Sequence, residues 1–196
     1  LETTVGMQFS SMVKGETLED TVRVIDGYAD VMVLRHPEVG SAKRAAEVTQ
    51  IPVINGGDGP GEHPTQALLD AYTIQRERGV IDGSTIAMIG DLRYGRTVHS
   101  LSRLLTRFDE IELLLMSPPS LPMPDSILDT LDREGVGWTV CSSLEEAISA
   151  ADVAYVTRLQ AERFDDPAEA ARLIGTYVVN RDLLESVGRL DITLMH

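Results

Sequence analysis

His63-Pro64-Thr65-Gln66-Ala67-Leu68-Leu69-Asp70 opens the segment that decides the fold, HPTQALLDAYTIQRERG from His63 to Gly79. Proline suits the first position of a helix, where its missing N–H would have no intrahelical partner, and glycine is typical just after a helix ends. The segment therefore predicts one long helix. The free N–H groups of its first turn attract negative charge, so His63 and Gln66 stand where an anionic substrate could be bound.

Alternating elements precede this helix and predict a first α/β unit. In chain order they are a helix from Leu18, a buried strand from Asp30 to Leu34, a helix from Val39 to Val48, a strand from Pro52 to Asn55 and a glycine-rich loop from Gly56 to Glu62. The spacing of the glycines and the intervening proline in that loop do not fit a dinucleotide-binding fingerprint. The glycines instead indicate tight turns close to the start of the long helix.

A second alternating series follows the helix. It comprises strands at Thr85 to Ile89, Glu112 to Leu115, Gly137 to Cys141, Val153 to Thr157 and near Ile192, with helices at Gly95 to Phe108, Pro124 to Gly135, after the capping pair Ser143 and Glu146, and at Pro167 to Ile174. Such alternation favours parallel sheets covered by helices. We therefore expect an α/β fold with two units, residues 1–62 and 80–196, joined by a helix over 63–79.

Composition excludes several classes of protein. The 196 residues have a hydrophobic fraction of 43% and a formal net charge of −14, which disfavours nucleic acids and anionic membranes as partners. No apolar run reaches the roughly 20 residues that a membrane span needs, and a cytoplasmic protein is expected. The single cysteine, Cys141, excludes an internal disulfide and is interpreted as a core residue.

Three arginines stand at the predicted carboxyl ends of strands, the edge where open α/β sheets bind ligands. Arg96 follows Gly90-Asp91, Arg158 follows the strand at Val153, and Arg35 ends the strand of the first unit. Arg96 and Arg158 together suit a ligand with two carboxylates, and Arg35 suits a phosphate. Taken singly, each arginine could instead be a solvated surface charge.

Several segments, in order along essentially the whole chain, resemble the aspartate transcarbamoylase family. They are VMVLRHP from Val31, HPTQALLDAYTIQ from His63, GDLRYGRTVHS from Gly90, Thr157-Arg158-Leu159-Gln160 and the loop Lys14-Gly15-Glu16-Thr17. The resemblance implies transfer of a carbamoyl group from carbamoyl phosphate to L-aspartate in pyrimidine biosynthesis, without a metal or organic cofactor. It also implies that residues 1–62 belong to a carbamoyl-phosphate-binding domain and residues 80–196 to an aspartate-binding domain.

The resemblance assigns roles to individual residues. Arg35 would bind carbamoyl phosphate on its phosphate and carbonyl side, His63 would donate to the carbonyl oxygen, and Gln66 would hold the carbamoyl amide. Arg96, Arg158 and Gln160 would bind aspartate. Ser10 and Lys14 would reach the active site of a neighbouring subunit, which implies a homotrimer of catalytic chains, with or without regulatory chains.

The family pattern also extends past both ends of this sequence. A Ser-Thr-Arg-Thr-Arg phosphate-binding segment would precede it, and a Pro-Leu-Pro loop and a helix would follow it. We therefore expect a fragment whose first domain is incomplete, and one that is inactive alone if those segments are essential. Two other functions stay open: an ornithine carbamoyltransferase-like enzyme, whose basic substrate Arg96 and Arg158 would repel, and a non-catalytic assembly or regulatory chain.

Overall fold

The structure is a computed structural model that describes residues 15–158, 173 and 175–196. The chain divides into two compact units, 1–65 and 66–196. Ser10, Lys14, Gln160 and nearly all of the predicted helix at Pro167 to Ile174 lie outside the described residues. In the part of the chain that is described, no helix combines the length and the apolar character that crossing a membrane would require.

The first unit contains two parallel strands with helices before and between them. Its elements are α1 (Leu18–Asp26), β1 (Met32–His36), α2 (Ser41–Glu47) and β2 (Val53–Asp58). Leu18, Val22, Met32 and Ala45 form its buried cluster. Pairing with β2 starts at Met32, which moves β1 two residues beyond the predicted Asp30 to Leu34.

The prediction that this strand is buried was wrong for one of its faces. Met32 and His36 are buried, but Val33, whose side chain points to the other face, is 67% exposed. Apolar residues on both faces of a strand suggest burial on both sides. The pattern in the sequence does not reveal whether a layer covers each face.

Strand β2 continues through Gly56 and Gly57, where the sequence predicts a loop. The turn comes at Gly59, which has φ of +58°. A Cβ atom at Gly59 would lie 2.0 Å from the Pro37 carbonyl oxygen, so only glycine allows the two segments to approach this closely. The predicted tight turn is present, but it is shorter than expected.

The second unit is a five-stranded sheet with the strand order β5-β4-β3-β6-β7, and every neighbouring pair is parallel. Its elements are α3 (Pro64–Arg78), whose first two residues fall in the first unit, β3 (Thr85–Ile89), α4 (Arg96–Leu105), β4 (Glu112–Met116), α5 (Asp125–Glu134), β5 (Gly137–Val140), α6 (Leu144–Ala150), β6 (Val153–Val156), α7 (Arg181–Ser186) and β7 (Thr193–Met195). The predicted parallel α/β architecture is confirmed. Helix α7 was not predicted.

The central strand β3 is buried on both faces. Ile86 and Met88 pack into one hydrophobic layer, and Ala87 and Ile89 pack into the layer on the opposite side of the sheet. Cys141 lies in the second layer, as expected for a core residue, and burial raises the pKa of its thiol. The sheet is therefore covered on both sides, which leaves the loops at its carboxyl edge as a natural place for ligands.

The predicted helix start at Ser143 is also present. The Ser143 hydroxyl accepts a hydrogen bond from the Glu146 N–H at 3.1 Å. The Glu146 carboxylate accepts from both the N–H and the hydroxyl of Ser142, each at 2.7 Å, and these bonds lower its pKa. The return bond therefore reaches one residue further back than in a standard capping box.

Replacing Leu101 by alanine is expected to lower the free energy of unfolding of the second unit by about 2–5 kcal/mol. Leu101 is fully buried in the first hydrophobic layer, and truncation would leave a cavity there. Trp138, the single tryptophan, packs against the same layer and reports urea unfolding by its fluorescence. Leu190→Ala is the control, because Leu190 is 59% exposed and its loss should change stability by less than about 0.5 kcal/mol.

Candidate active site

A cavity of about 320 Å³ opens at the carboxyl ends of β3, β6 and β7 in the second unit. Its lining residues are Gln66, Gly95, Arg96, Thr97, Tyr155, Val156, Thr157, Arg158 and His196. Three of these, Gln66, Arg96 and Arg158, are among the residues that the sequence predicts for substrate binding. The cavity is of the size that small-molecule sites commonly have.

The loop that brings Arg96 to the cavity is held by two local features. Gly90 has φ of +110°. A Cβ atom at this position would lie 2.6 Å from the carbonyl oxygen of Thr157, the residue that directly follows β6. Asp91 is fully buried, and its Oδ1 accepts a hydrogen bond from the Tyr94 N–H at 2.8 Å. This turn places Arg96 at the first position of α4, where its N–H donates to the Tyr94 carbonyl at 2.9 Å.

Arg158 reaches the same cavity from the end of β6. The Thr157 hydroxyl donates to the Ile89 carbonyl at 3.1 Å, which fixes the end of β6 against β3 just before Arg158. Arg96 is partly buried and Arg158 is exposed. Two guanidinium groups lining one cavity, in a chain with a net charge of −14, favour a ligand with more than one carboxylate.

A buried polar group beneath the cavity was not predicted from the sequence. The Asp70 carboxylate, 2% exposed, accepts a hydrogen bond from Gln66 Nε2 at 2.9 Å, and burial is the main cause of its raised pKa. Tyr155 is also buried, and burial raises the pKa of its hydroxyl to about 12, with a further contribution from Asp70. Tyr155 therefore stays neutral at physiological pH. The spacing of Gln66 and Asp70, four residues apart on a helix, was the available signal.

His196 is a further residue of the cavity that the sequence analysis missed. Its Nδ1 lies 2.7 Å from the Val156 carbonyl oxygen, which can only accept, so Nδ1 carries a proton. This bond joins the residue after β7 to the end of β6. Within residues 15–158 and 175–196, no cluster of His, Cys, Asp or Glu side chains is suited to hold a metal ion.

Arg35 and His63 belong to the first unit. Arg35 is exposed on β1, and His63 directly precedes Pro64, the first residue of α3. Asp58 fixes the loop that leads to His63, because its carboxylate accepts from the Gly40 N–H at 2.8 Å and the Glu62 N–H at 2.6 Å. The Thr65 hydroxyl lies 3.3 Å from His63 Nδ1.

Replacing Asp70 by asparagine is expected to stabilise the chain at pH 7 and to have little effect at pH 3. Because burial raises the pKa of the folded carboxyl above its ordinary value of 3.8, the folded state binds this proton more tightly than the unfolded state. The contribution of Asp70 to stability is thus present in acid and is lost as the pH rises from 3.8 through the folded pKa. Asparagine carries no such charge. Melting temperatures of both proteins between pH 3 and pH 8 test this, and a lower melting temperature of Asp70→Asn at pH 7 would contradict it.

Comparison with protein families supports one assignment for the whole chain. Residues 1–76 match the sequence model for the aspartate/ornithine carbamoyltransferase carbamoyl-P binding domain, and residues 82–196 match the model for the Asp/Orn binding domain of the same family. Together the two matches include every residue discussed above as a candidate for substrate binding.

Individual relatives agree with this assignment. The chain is 53% identical to the chloroplastic aspartate carbamoyltransferase of Arabidopsis thaliana, covering 100% of this chain and 50% of the relative. It is 50% identical to the aspartate carbamoyltransferase catalytic subunit of Methanocella arvoryzae, covering 99% of this chain and 64% of the relative. The chain thus spans about half to two thirds of the length of these relatives.

The fold is similar to a solved structure of aspartate transcarbamoylase from Trypanosoma cruzi in complex with carbamoyl phosphate and aspartate. The TM-score is 0.88 at 41% sequence identity, and the match covers 99% of this chain and 63% of the other. Sequence and fold therefore give the same answer: the chain belongs to the aspartate/ornithine carbamoyltransferase family.

Proposed function

We propose that this protein transfers the carbamoyl group of carbamoyl phosphate to the amine of L-aspartate, giving N-carbamoyl-L-aspartate and phosphate in pyrimidine biosynthesis. The observation that carries the proposal is the pair of guanidinium groups, Arg96 and Arg158, lining one cavity of the second unit. Aspartate has two carboxylates to match them. Ornithine carries a positive charge on its side chain, which two nearby arginines would repel.

The remaining roles follow the chemistry of the reaction. Attack by the uncharged amine places negative charge on the carbonyl oxygen, and a donor at that oxygen lowers the barrier. His63 is assigned as this donor, Arg35 as a ligand of the phosphate and carbonyl side, and Gln66 as the partner of the carbamoyl amide. The reaction needs no metal or organic cofactor.

We keep the domain division and the assembly as parts of the proposal. Residues 1–62 are assigned to carbamoyl phosphate binding, 80–196 to aspartate binding and 63–79 to the helix between them. Gln160 as a third aspartate ligand, and Ser10 and Lys14 as contributions to a neighbouring subunit of a homotrimer, stay predictions, as do regulatory chains. A cytoplasmic location is also a prediction, since the relative from Arabidopsis thaliana is named chloroplastic.

The direct test is formation of carbamoyl-aspartate by the 196-residue chain at high concentration, with ornithine as the control acceptor. If the 196 residues suffice for catalysis, turnover is expected with aspartate and not with ornithine. Turnover with ornithine alone would refute the assignment of Arg96 and Arg158. Sedimentation of the same sample at increasing concentration measures whether the chain assembles into trimers.

Thermal unfolding separates an enzyme from a non-catalytic relative that has kept only the fold. A ligand that binds only the native state stabilises it by about 2.7 kcal/mol when the free ligand concentration is 100 times the Kd. We expect N-(phosphonacetyl)-L-aspartate, which combines a phosphonate with both aspartate carboxylates, to raise the melting temperature by several degrees. No shift, together with no turnover, would favour the non-catalytic assembly or regulatory chain.

A further inference from the structure

The Asp70 carboxylate occupies an unusual position for a charged group. It lies on the buried face of α3, together with Ala67, Ala71 and Ile74, and is 2% exposed. Isolated carboxylates in apolar surroundings are costly, and among the residues that the structure describes no arginine or lysine is identified as acting on this one. Its partners are the Gln66 amide and the Tyr155 hydroxyl, and both of those side chains line the cavity.

The hydrogen bond from Gln66 has a definite polarity. An ionised carboxylate can only accept, so the group that Gln66 turns toward Asp70 must be its NH₂. The 2.9 Å bond between Nε2 and Asp70 Oδ1 thereby fixes which end of the amide faces the carboxylate. Gln66 Oε1 is left as the atom that can accept a hydrogen bond from another molecule.

Tyr155 limits the freedom of the carboxylate. Its hydroxyl, which interacts with Thr97 as well as Asp70, belongs to a side chain that is only 3% exposed. The hydroxyl lies close enough to interact with the carboxylate, although Asp70 Oδ2 has no hydrogen bond of ordinary geometry. Asp70 is thus confined between a buried tyrosine and the Gln66 amide.

We propose that Asp70 is a positioning residue, which holds the Gln66 amide so that Oε1 accepts a hydrogen bond from the –NH₂ group of carbamoyl phosphate. An amide-type –NH₂ is a donor, so a Gln66 turned the other way would present its own donors to it and lose the contact. This inference rests on the proposed function and adds to it the reason why the chain keeps a buried carboxylate one turn beyond Gln66.

Two ligands separate positioning from a general structural role. Carbamoyl phosphate carries the free –NH₂ group, and N-(phosphonacetyl)-L-aspartate has no such group. Asp70→Asn, which preserves the shape of the side chain, is expected to weaken binding of carbamoyl phosphate about fivefold to tenfold, the worth of about one hydrogen bond. It should change binding of N-(phosphonacetyl)-L-aspartate by less than about twofold. Titration calorimetry of the full chain with each ligand measures both values.

A double-mutant cycle tests whether Asp70 acts through Gln66. Gln66→Ala should also weaken binding of carbamoyl phosphate more than binding of N-(phosphonacetyl)-L-aspartate. Adding Asp70→Asn to Gln66→Ala should not change either affinity further. Two control variants are matched to the pair. Gln75→Ala removes an amide that donates to the Gly79 carbonyl at the other end of α3, and Asp132→Asn alters a carboxylate that accepts from Trp138 Nε1 at 2.7 Å. Neither should change the affinity for either ligand.

Each other outcome overturns the inference in a distinguishable way. Equal weakening of both ligands by Asp70→Asn would make Asp70 a structural residue, and so would additive effects in the double variant. Unchanged affinity for carbamoyl phosphate would show that Gln66 needs no positioning. Failure of the unsubstituted chain to bind either ligand would show that these 196 residues do not form the carbamoyl phosphate site, and the inference would fall with it.

Discussion

Replacing Arg96 by alanine is expected to lower kcat/KM for carbamoyl-aspartate formation by about 100-fold or more, mainly through a higher KM for aspartate. Arg96 is partly buried at the start of α4 and lines the cavity with Arg158. Loss of one partner of a charge pair in such a place costs about 2–5 kcal/mol. Initial rates over a range of aspartate concentrations measure the change.

The same loop offers a matched control. Arg93 lies three residues before Arg96 but is exposed, with its guanidinium 5.2 Å from the centre of the Tyr94 ring and a hydrogen bond to the Ser120 carbonyl at 3.4 Å. Arg93→Ala should leave KM for aspartate within about twofold. Arg96→Lys should recover part of the loss, because lysine keeps the charge but not the planar pair of donors. Equal effects of the two alanine variants would indicate that only the general positive charge matters.

The strands of the second unit were the easiest part of the fold to predict. The bounds of β3, Thr85–Ile89, agree with the sequence prediction because a short apolar run between turn residues is typical of a buried parallel strand. The prediction of β2 was poorer, since Gly56 and Gly57 have no side chain to favour a strand and lie where the register with β1 shifts, between the pairs Leu34–Asn55 and His36–Asp58. Tertiary pairing, which the local sequence does not encode, decides such positions.

Helix α7 was missed for a different reason. It has six residues, too few for a hydrophobic period to be recognised, and none of them is buried. Its one local signal is Asn180, whose side chain caps the helix by accepting from the Leu183 N–H at 2.9 Å. A search for capping residues, made independently of hydrophobic period, would have found it.

Some residues of the candidate site could be predicted from the sequence, and others could not. The order of the strands brings the ends of β3 and β6 together, so the positions of Arg96 and Arg158 follow from the parallel fold that the sequence predicts. Asp70 and Tyr155 were missed because each resembles an ordinary residue of its element, a polar residue on a helix and an aromatic residue in a strand. Their importance comes from burial beside each other, which only the packed structure reveals. The roles of the site residues in substrate binding stay predictions.

Replacing His63 by alanine is expected to lower kcat about 100-fold to 1000-fold, with KM for aspartate little changed. Removal of a single donor to a developing oxyanion typically has an effect of this size. His63 directly precedes α3, and its Nδ1 lies 3.3 Å from the Thr65 hydroxyl. When that hydroxyl donates to Nδ1, the neutral ring carries its proton on Nε2, the nitrogen that is then able to donate to the substrate.

Two variants test this mechanism against simple binding of the ground state. His63→Gln places an amide –NH₂ near the position of Nε2, so it should recover part of kcat where His63→Ala does not. Thr65→Val removes the hydroxyl with little change in shape and should lower kcat by a smaller factor, because the ring loses the bond that selects its tautomer. A His63→Ala protein with unchanged kcat and weaker carbamoyl phosphate binding would show that His63 binds the substrate equally well before and during the reaction. In that case another donor would lower the barrier. Arg35 would be the next candidate, because it is the other residue of the first unit that is assigned to the carbonyl side of carbamoyl phosphate.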